Sequence, residues 1–306
     1  MSNILVTGAG GFIGSHLVAR LVGDGHNVVC LVRYKSDGST GWLVDDYNII
    51  RGDIRDTEFV RRACSGMDVV YQLAALIGIP YSYVAARSYV DVNVGGTLNV
   101  LEACRESGTR VIVTSTSEVY GTNMGGFAPM AEDHRIHPQS PYAASKVAAD
   151  ALAMSYACAF GMNIGIVRPF NTYGPRQSLR AIVPVVLSQF DNEVVRIGDG
   201  SPKRDLMYVS DTVEAFVKMG ESDCLGPIHF GTGNTWSIKE VAGWFGHEVV
   251  EGHGVRRPAA SEVGCLCCDY TKAKQVLGWE PSVWLDEGLN ITLNWIREHG
   301  AVGHAQ

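Results

Sequence analysis

The sequence predicts an α/β fold, a doubly wound parallel sheet followed by a less regular C-terminal half. Three observations predict it. Apolar, β-prone runs alternate with helical patterns through about residue 170. The first run leads directly into a glycine-rich turn, and after Asn171 the alternation loosens into shorter pieces.

Taken in order, Asn3-Ile4-Leu5-Val6-Thr7 reads as a strand and Gly8-Ala9-Gly10-Gly11-Phe12-Ile13-Gly14 as the turn that opens a helix over 12–23. Gly8 permits a tight turn, Gly11 lets backbone N–H groups approach a pyrophosphate at the helix N-terminus, and Gly14 lets helix and strand pack closely. This is the pattern of a Rossmann-like dinucleotide site, with Phe12 and Ile13 inside the turn. Further strands are expected at 27–32, 48–51, 68–73, 110–115 and 163–168, with helices near 56–65, 93–107 and 141–160. Beyond them, 179–192 reads as helical, 193–198 as extended, 210–220 as helical, 227–231 as extended and 237–246 as helical, and the tail from 271 to 299 contributes two helical pieces.

Two features carry candidate chemistry. In Ser140-Pro141-Tyr142-Ala143-Ala144-Ser145-Lys146, Ser140 reads as an N-cap and Pro141 as the first helical residue. Tyr142 then lies near the positive end of the helix dipole with Lys146 one turn along on the same face, and both effects favour a phenolate near neutral pH. A surface Tyr and Lys on an ordinary helix is the competing reading. Val111-Ile112-Val113 ends at Thr114-Ser115-Thr116-Ser117-Glu118, which delivers Glu118 just beyond a parallel strand, where doubly wound folds place ligands. A structural carboxylate at a strand end is the alternative there.

Composition narrows the class. With 306 residues, 46% hydrophobic and 19% charged, the chain can bury one large core or two joined lobes. No stretch is long and apolar enough to span a membrane, and the first strand begins at once, without a basic or signal segment, which predicts a cytoplasmic protein. A formal charge of -7 argues against general nucleic-acid binding. The eight cysteines are scattered, mostly in apolar contexts, and read as reduced core thiols. Cys265-Leu266-Cys267-Cys268 lacks a second ligand pair at zinc spacing, so no metal site is expected, and His134 and His137 read as solvated loop histidines.

The chain as a whole resembles the extended short-chain dehydrogenase/reductase family, in particular its nucleotide-sugar epimerases and dehydratases. The matching stretches include Gly52-Asp53-Ile54-Arg55-Asp56, Leu73-Ala74-Ala75, Asn93-Val94-Gly95-Gly96-Thr97, Thr116-Ser117-Glu118-Val119-Tyr120-Gly121, the Tyr142/Lys146 pair, Arg168-Pro169-Phe170-Asn171-Thr172-Tyr173-Gly174-Pro175-Arg176 and Leu277-Gly278-Trp279-Glu280-Pro281. Ile79-Pro80-Tyr81-Ser82-Tyr83, Gln177-Ser178-Leu179-Arg180-Ala181 and Arg257-Pro258-Ala259-Ala260-Ser261-Glu262-Val263 look closest to bacterial 4,6-dehydratases of nucleotide-linked hexosamines in legionaminic acid-type pathways.

The resemblance implies a dinucleotide-binding domain over 1–170, with segments near 203–232 returning to it, and a substrate lobe from 171–202 and 233–306. It implies that Tyr142 takes the C4 hydroxyl proton of a nucleotide sugar, Lys146 holds the phenolate and the nicotinamide ribose, and Thr116 bonds the same sugar oxygen. Glu118 would abstract the C5 proton, and either Ser117 relays a proton to the departing C6 hydroxyl or protonated Glu118 supplies it. Ser117 departs from the aspartic acid of dehydratases acting on thymidine-diphosphate glucose and matches the Thr-Ser-Glu of guanosine-diphosphate mannose dehydratases. Asp53 and Ile54 resemble the adenine contact, while Leu73, Ala74 and Ala75 line the cofactor. Asn171 falls to the substrate, and Arg204, Arg257 and, more weakly, Arg176 are candidates for its diphosphate, which suits planar guanidinium forks; solvent-facing arginine competes for each.

The cofactor class is NAD(P). The second strand ends without the acidic residue that bonds an NAD ribose, and Arg33-Tyr34-Lys35-Ser36 follows, so Arg33 and Ser36 favour a 2′-phosphate and the lean is to NADP. A solvent-exposed Arg33 is the alternative, and the similar hexosamine dehydratases are generally NAD-dependent. The activity expected is a nucleotide-sugar 4,6-dehydratase. A 4-epimerase or uronate decarboxylase is its closest rival, and a non-catalytic NADP-sensing scaffold a remote one. Helices 93–107 and 141–160 could pack across a two-fold axis into a homodimer, as in the family's dimers, or be covered within one chain.

Overall fold

The computed structural model describes residues 1–43, 46–123, 126, 128–253 and 257–301. Its centre is a sheet of seven parallel strands, β1 (Asn3–Thr7), β2 (Asn27–Arg33), β3 (Asn48–Gly52), β4 (Val69–Gln72), β5 (Arg110–Thr114), β6 (Ile164–Pro169) and, entering from the second half of the chain, Gly226–Phe230. The spatial order is Gly226–Phe230, β6, β5, β4, β1, β2, β3. Buried runs such as Ile4-Leu5-Val6 and Val111-Ile112-Val113 have side chains covered on both faces, as an all-parallel sheet requires.

Helices close both faces. On one side lie α1 (Phe12–Gly23) and, later in the chain, Val209–Glu221 and Thr271–Leu277, around Leu17, Phe216 and Trp279. On the other lie α2 (Thr57–Cys64), two short turns α3 (Ile79–Ser82) and α4 (Ala86–Tyr89), α5 (Gly96–Arg105) and α6 (Pro141–Phe160), around Val100, Leu101 and Ile166. Ser140 caps α6 by accepting from Ala143 N (3.1 Å), Pro141 follows, and Gly161 ends the helix at φ +64, so the expected boundaries 141–160 hold.

The second half adds short pieces: β7 (Asn171–Tyr173), α7 (Ile182–Leu187), β8 (Val194–Arg196), β9 (Lys203–Arg204), β10 (Leu206–Tyr208), α8 (Val209–Glu221), β11 (Gly226–Phe230), β12 (Trp236–Ser237), α9 (Ile238–Ala242), β13 (Glu248–Val250), β14 (Cys265–Leu266), α10 (Thr271–Leu277) and α11 (Leu285–His299). β9 is the middle strand between β12 and β14.

Several expectations change. The helix expected over 179–192 is confined to Ile182–Leu187, because the Gln189 side chain bonds Val185 O (3.0 Å), Arg196 O (3.1 Å) and Arg196 N (2.9 Å), turning the chain into β8. The helix expected over 237–246 stops at Ala242, where Gly243 follows. The helix expected over 93–107 runs as α5 only from Gly96 to Arg105, its expected start being taken by a π turn over Val90–Gly95, and α3 and α4 have no counterpart among the expected elements. Cys158 is exposed rather than part of a core. Among the described residues, no helix is long and apolar enough to cross a membrane and no group of three or more His, Cys, Asp or Glu side chains could hold a metal ion.

Candidate active site

The strand ends that face one another at a single sheet edge build the site. The Thr7 hydroxyl accepts from both Leu73 N and Ala74 N (3.1 Å each), fastening the end of β1 to the segment after β4, next to Ala75. Gly8 has φ +68, and a Cβ there would come within 2.9 Å of Ala74 N; a Cβ on Gly14 would strike Gly8 O at 2.3 Å. Gly11 caps α1 without a side-chain acceptor, leaving the N–H groups of the first turn, at Phe12, Ile13 and Gly14, free of a side-chain cap. Such a cradle fits a dinucleotide pyrophosphate. Arg33 and Ser36 are exposed at and beyond the end of β2. Asp53 is held by Arg55 (2.7 Å), which, with a smaller contribution from nearby Arg33, keeps its carboxyl below the usual range. Ile54 is buried beneath it, its carbonyl bonded by Asn99 (3.0 Å).

β5 ends at Thr114, and a tight 3-10 turn over Ser117–Tyr120 brings Glu118 back toward α6. Thr116 caps that turn, accepting from Glu118 N (3.2 Å). Its side chain also hydrogen-bonds Tyr142. Thr116, Ser117, Glu118, Tyr142 and Lys146 are all buried. Lys146 Nζ donates to Thr114 O (2.9 Å), and burial lowers its pKa to about 8, opposed by the carboxylate of Asp150.

The acidity expected of Tyr142 from its spacing to Lys146 is a correction. Burial holds the phenol well above the ordinary tyrosine range; the Thr116 hydrogen bond offsets only part of this, and Glu118 adds to it. Helix geometry puts Tyr142 and Lys146 on one face, but burial is the largest influence on the phenol.

Two of the arginines gather near the turn that carries Glu118. Arg257 Nη1 lies 3.7 Å from Glu118 Oε1 and 3.8 Å from Glu262 Oε1, and it is buried without a hydrogen-bond partner among the described residues. Arg204 is buried and bonds Lys203 O (2.9 Å) and Glu262 Oε1 (3.2 Å). Glu262 therefore bridges the two guanidiniums, and the Arg257 donor, with both carboxylates beyond hydrogen-bond distance, keeps capacity for an anionic ligand. Arg176 stands elsewhere, near His16 and Tyr47, and is the one described non-glycine residue with positive φ (70°). Asn171 donates its N–H to Asp205 O (3.0 Å), and its buried Oδ1 has no partner among the described residues.

Comparison with known proteins identifies this architecture. The family model described as GDP-mannose 4,6 dehydratase matches residues 5–292. The chain belongs to that family. Within this group of nucleotide-sugar-converting extended short-chain dehydrogenases/reductases, it is 35% identical to a UDP-glucose 4-epimerase of Mycolicibacterium smegmatis, covering 96% of this chain and 98% of the relative. It is 34% identical to UDP-glucuronic acid decarboxylase 1 of Arabidopsis thaliana (94% and 68% covered) and 34% identical to a dTDP-glucose 4,6-dehydratase of Streptomyces griseus (97% and 95%). The structure superposes on MoeE5 in complex with UDP-glucuronic acid and NAD with a TM-score of 0.85 at 33% identity, covering 97% and 99% of the two chains. Three reactions thus stand at nearly equal identity, and overall similarity does not choose among them.

In this family member, a buried polar chain that the sequence does not announce as a unit lies behind α6. Arg168 Nη2 and Ser115 Oγ both donate to Asp150 Oδ2 (2.8 and 2.6 Å), and Arg168 Nη1 donates to Tyr120 Oη (2.5 Å). Tyr120 Oη meets His229 Nε2 (2.6 Å), whose Nδ1 faces Met130 O (3.0 Å). A carbonyl can only accept, so Nδ1 carries the proton and Tyr120 donates to Nε2. Burial and the Arg168 charge hold His229 neutral, its pKa lowered to about 3. Asp150 stands one turn beyond Lys146, the sole signal in the sequence. The partners Arg168 and His229 come from separate strands.

Proposed function

We propose that the protein is a nucleotide-sugar 4,6-dehydratase, converting a nucleoside-diphosphate hexose or hexosamine to its 4-keto-6-deoxy form. The observation that carries this reading is the Glu118 carboxylate, set on the same buried turn as Thr116 and beside Arg257. Epimerisation at C4 needs only oxidation and reduction at one carbon, and decarboxylation of a 4-keto uronate releases carbon dioxide without a base at C5. Elimination of the C6 hydroxyl needs that base.

When bound, the nicotinamide cofactor supplies hydride acceptance and return. Gly8, Gly11, Phe12, Ile13 and Gly14 would hold its pyrophosphate, with Leu73, Ala74, Ala75, Asp53 and Ile54 beside it. Tyr142, once it has given up its own proton to solvent, takes the proton of the C4 hydroxyl as a phenolate while Thr116 bonds the same oxygen, and Lys146, as an ammonium, stabilises that phenolate before the transfer. Glu118 removes the C5 proton made acidic by the C4 ketone, and the C6 hydroxyl departs with a proton from Glu118 or through Ser117. Arg204 and Arg257 hold the diphosphate, with Asn171 at the sugar end and Arg176 as a weaker contributor.

The cofactor reading leans to NADP, supported by exposed Arg33 and Ser36 and by the lack of an acidic side chain at the end of β2. The two halves read as a dinucleotide domain and a lobe over the sugar nucleotide, in a cytoplasmic homodimer. Exposed Val90, Leu98, Met154 and Phe160 on or near α5 and α6 support pairing through those helices.

Incubation with UDP-, GDP- and dTDP-hexoses, with products read by mass, tests the reading. Loss of water is expected, unchanged mass would make the protein an epimerase, and loss of carbon dioxide from a uronate a decarboxylase. Glu118→Gln should abolish water loss while reduced cofactor still accumulates. Dehydration at the wild-type rate would remove Glu118 from the role.

A further inference from the structure

Two segments singled out in the sequence, 79–83 and 257–263, meet at a hydroxyl pair. Tyr83 Oη lies 2.5 Å from Ser261 Oγ, and the Ser261 hydroxyl donates to the Gln139 carbonyl. Serine has one hydrogen to give, so with that hydrogen committed Tyr83 is the donor to Ser261. The Gln139 side chain extends the contact: its amide donates to Ala260 O (3.1 Å) and its oxygen accepts from Thr122 N (2.5 Å). Thr122 in turn donates to Glu262 O (3.3 Å) and accepts from Gly264 N (3.2 Å). Gly121 makes room for this approach, since a Cβ there would come within 2.5 Å of Gln139 Oε1, and its φ of +62 suits glycine.

Residues 260–264 are therefore fastened by three side chains from the first half of the chain. The same loop carries Arg257 and Glu262, and Glu262 also bonds Arg204. Little else in the loop is regular: one 3-10 turn over Ala259–Ser261 separates Arg257 from β14. A guanidinium on such a loop holds a fixed place beside Glu118 only if the loop is tied, because each untied residue regains backbone freedom.

We propose that Tyr83, Ser261 and Gln139 are positioning residues, forming a latch that presents Arg257 to the diphosphate of the nucleotide sugar. The proposal rests on the nucleotide-sugar reading of the site and is indifferent to which reaction follows. The latch acts on binding, because the diphosphate is held alike before and during the chemistry, and interactions of that kind move KM rather than kcat.

The test uses Tyr83→Phe and Ser261→Ala in the full chain, alone and in an Arg257→Ala background. Calorimetry with UDP, GDP and dTDP is combined with steady-state kinetics and amide hydrogen exchange across 258–264. Each single variant should speed exchange in that segment. It should weaken the diphosphate that wild type binds best, and raise KM, by about two- to tenfold, the worth of one hydrogen bond, with kcat nearly unchanged. In the Arg257→Ala background the further effect on binding should vanish. Faster exchange with unchanged binding, unchanged exchange, or the same loss with and without Arg257 would each overturn the proposal. If wild type binds none of the three diphosphates, the nucleotide-sugar reading fails and the positioning role fails with it, while the exchange result still reports whether the latch exists.

Discussion

Lys146 Nζ donates to the carbonyl of Thr114 (2.9 Å), so the helix that carries Tyr142 is joined to the strand that delivers Thr116 and Glu118. With the bond from Ser115 Oγ to Asp150 Oδ2 (2.6 Å), it ties the segment carrying Thr116 and Glu118 to α6. It also fixes a lysine in a place where its charge is costly, and burial lowers its pKa to about 8.

That depression gives a pH dependence with a definite sign. The ammonium is present below about 8 and is lost as pH rises through it. Formation of reduced cofactor in a single turnover should therefore decline across that range, and Lys146→Arg, which keeps its charge, should move the decline to higher pH. A wild-type rate that stays level through this range would show that the ammonium is not needed. Stability runs the other way. Between about 8 and the ordinary value of 10.5 the unfolded chain binds more protons at this site, so the contribution of Lys146 makes stability rise with pH.

Burial holds Tyr142 in its protonated form, so the phenol must lose its own proton before it can take that of the C4 hydroxyl, a loss that the nearby Lys146 ammonium favours. Tyr142→Phe should slow single-turnover cofactor reduction about 100- to 10,000-fold, the usual worth of a positioned acid–base group. Binding of the cofactor should change little. Reduction at the wild-type rate would exclude the phenol from proton transfer.

The Asp150–Arg168 pair is buried at both ends, 4% and 2% exposed, and breaking it leaves a charge without its partner. Asp150→Ala should cost about 3–5 kcal/mol of folding stability, read from denaturant midpoints. A loss under about 1 kcal/mol, the range of surface pairs, would mean that water or rearrangement compensates the guanidinium.

What could be read from sequence was local. Ser140 and Pro141 announce the start of α6, and the β5 run ending at Thr114 places Glu118, because caps and strand ends are written in neighbouring residues. The pairings across the fold carry no such signal: Tyr83 reaches Ser261, 178 residues away, and Tyr120 reaches His229, 109 away. The protonation of the Tyr142 phenol is hidden from the sequence for a related reason. Spacing gives direction on a helix, but desolvation depends on what covers the side chain, and Ile79 and Tyr89, which cluster with Tyr142, come from other elements. The shortened α7 follows from a single glutamine that bonds across to Arg196, again outside any local pattern.

Cofactor choice can be decided at Arg33. It stands exposed at the end of β2, opposite Gly52 and near Asp53, where no acidic residue on β2 itself is placed to bond a ribose hydroxyl. A 2′-phosphate there would gain a charge-assisted hydrogen bond worth about 1.5–3 kcal/mol, whereas a 2′-hydroxyl gains little from a guanidinium. Arg33→Ala should therefore weaken NADP far more than NAD, by roughly ten- to a hundredfold if the whole bond is lost. Calorimetry with both cofactors on wild type and variant gives the ratio. Equal weakening, or tighter binding of NAD by wild type, would remove the NADP preference and align this chain with MoeE5 and its NAD, leaving the chemistry assigned to Tyr142 and Glu118 untouched.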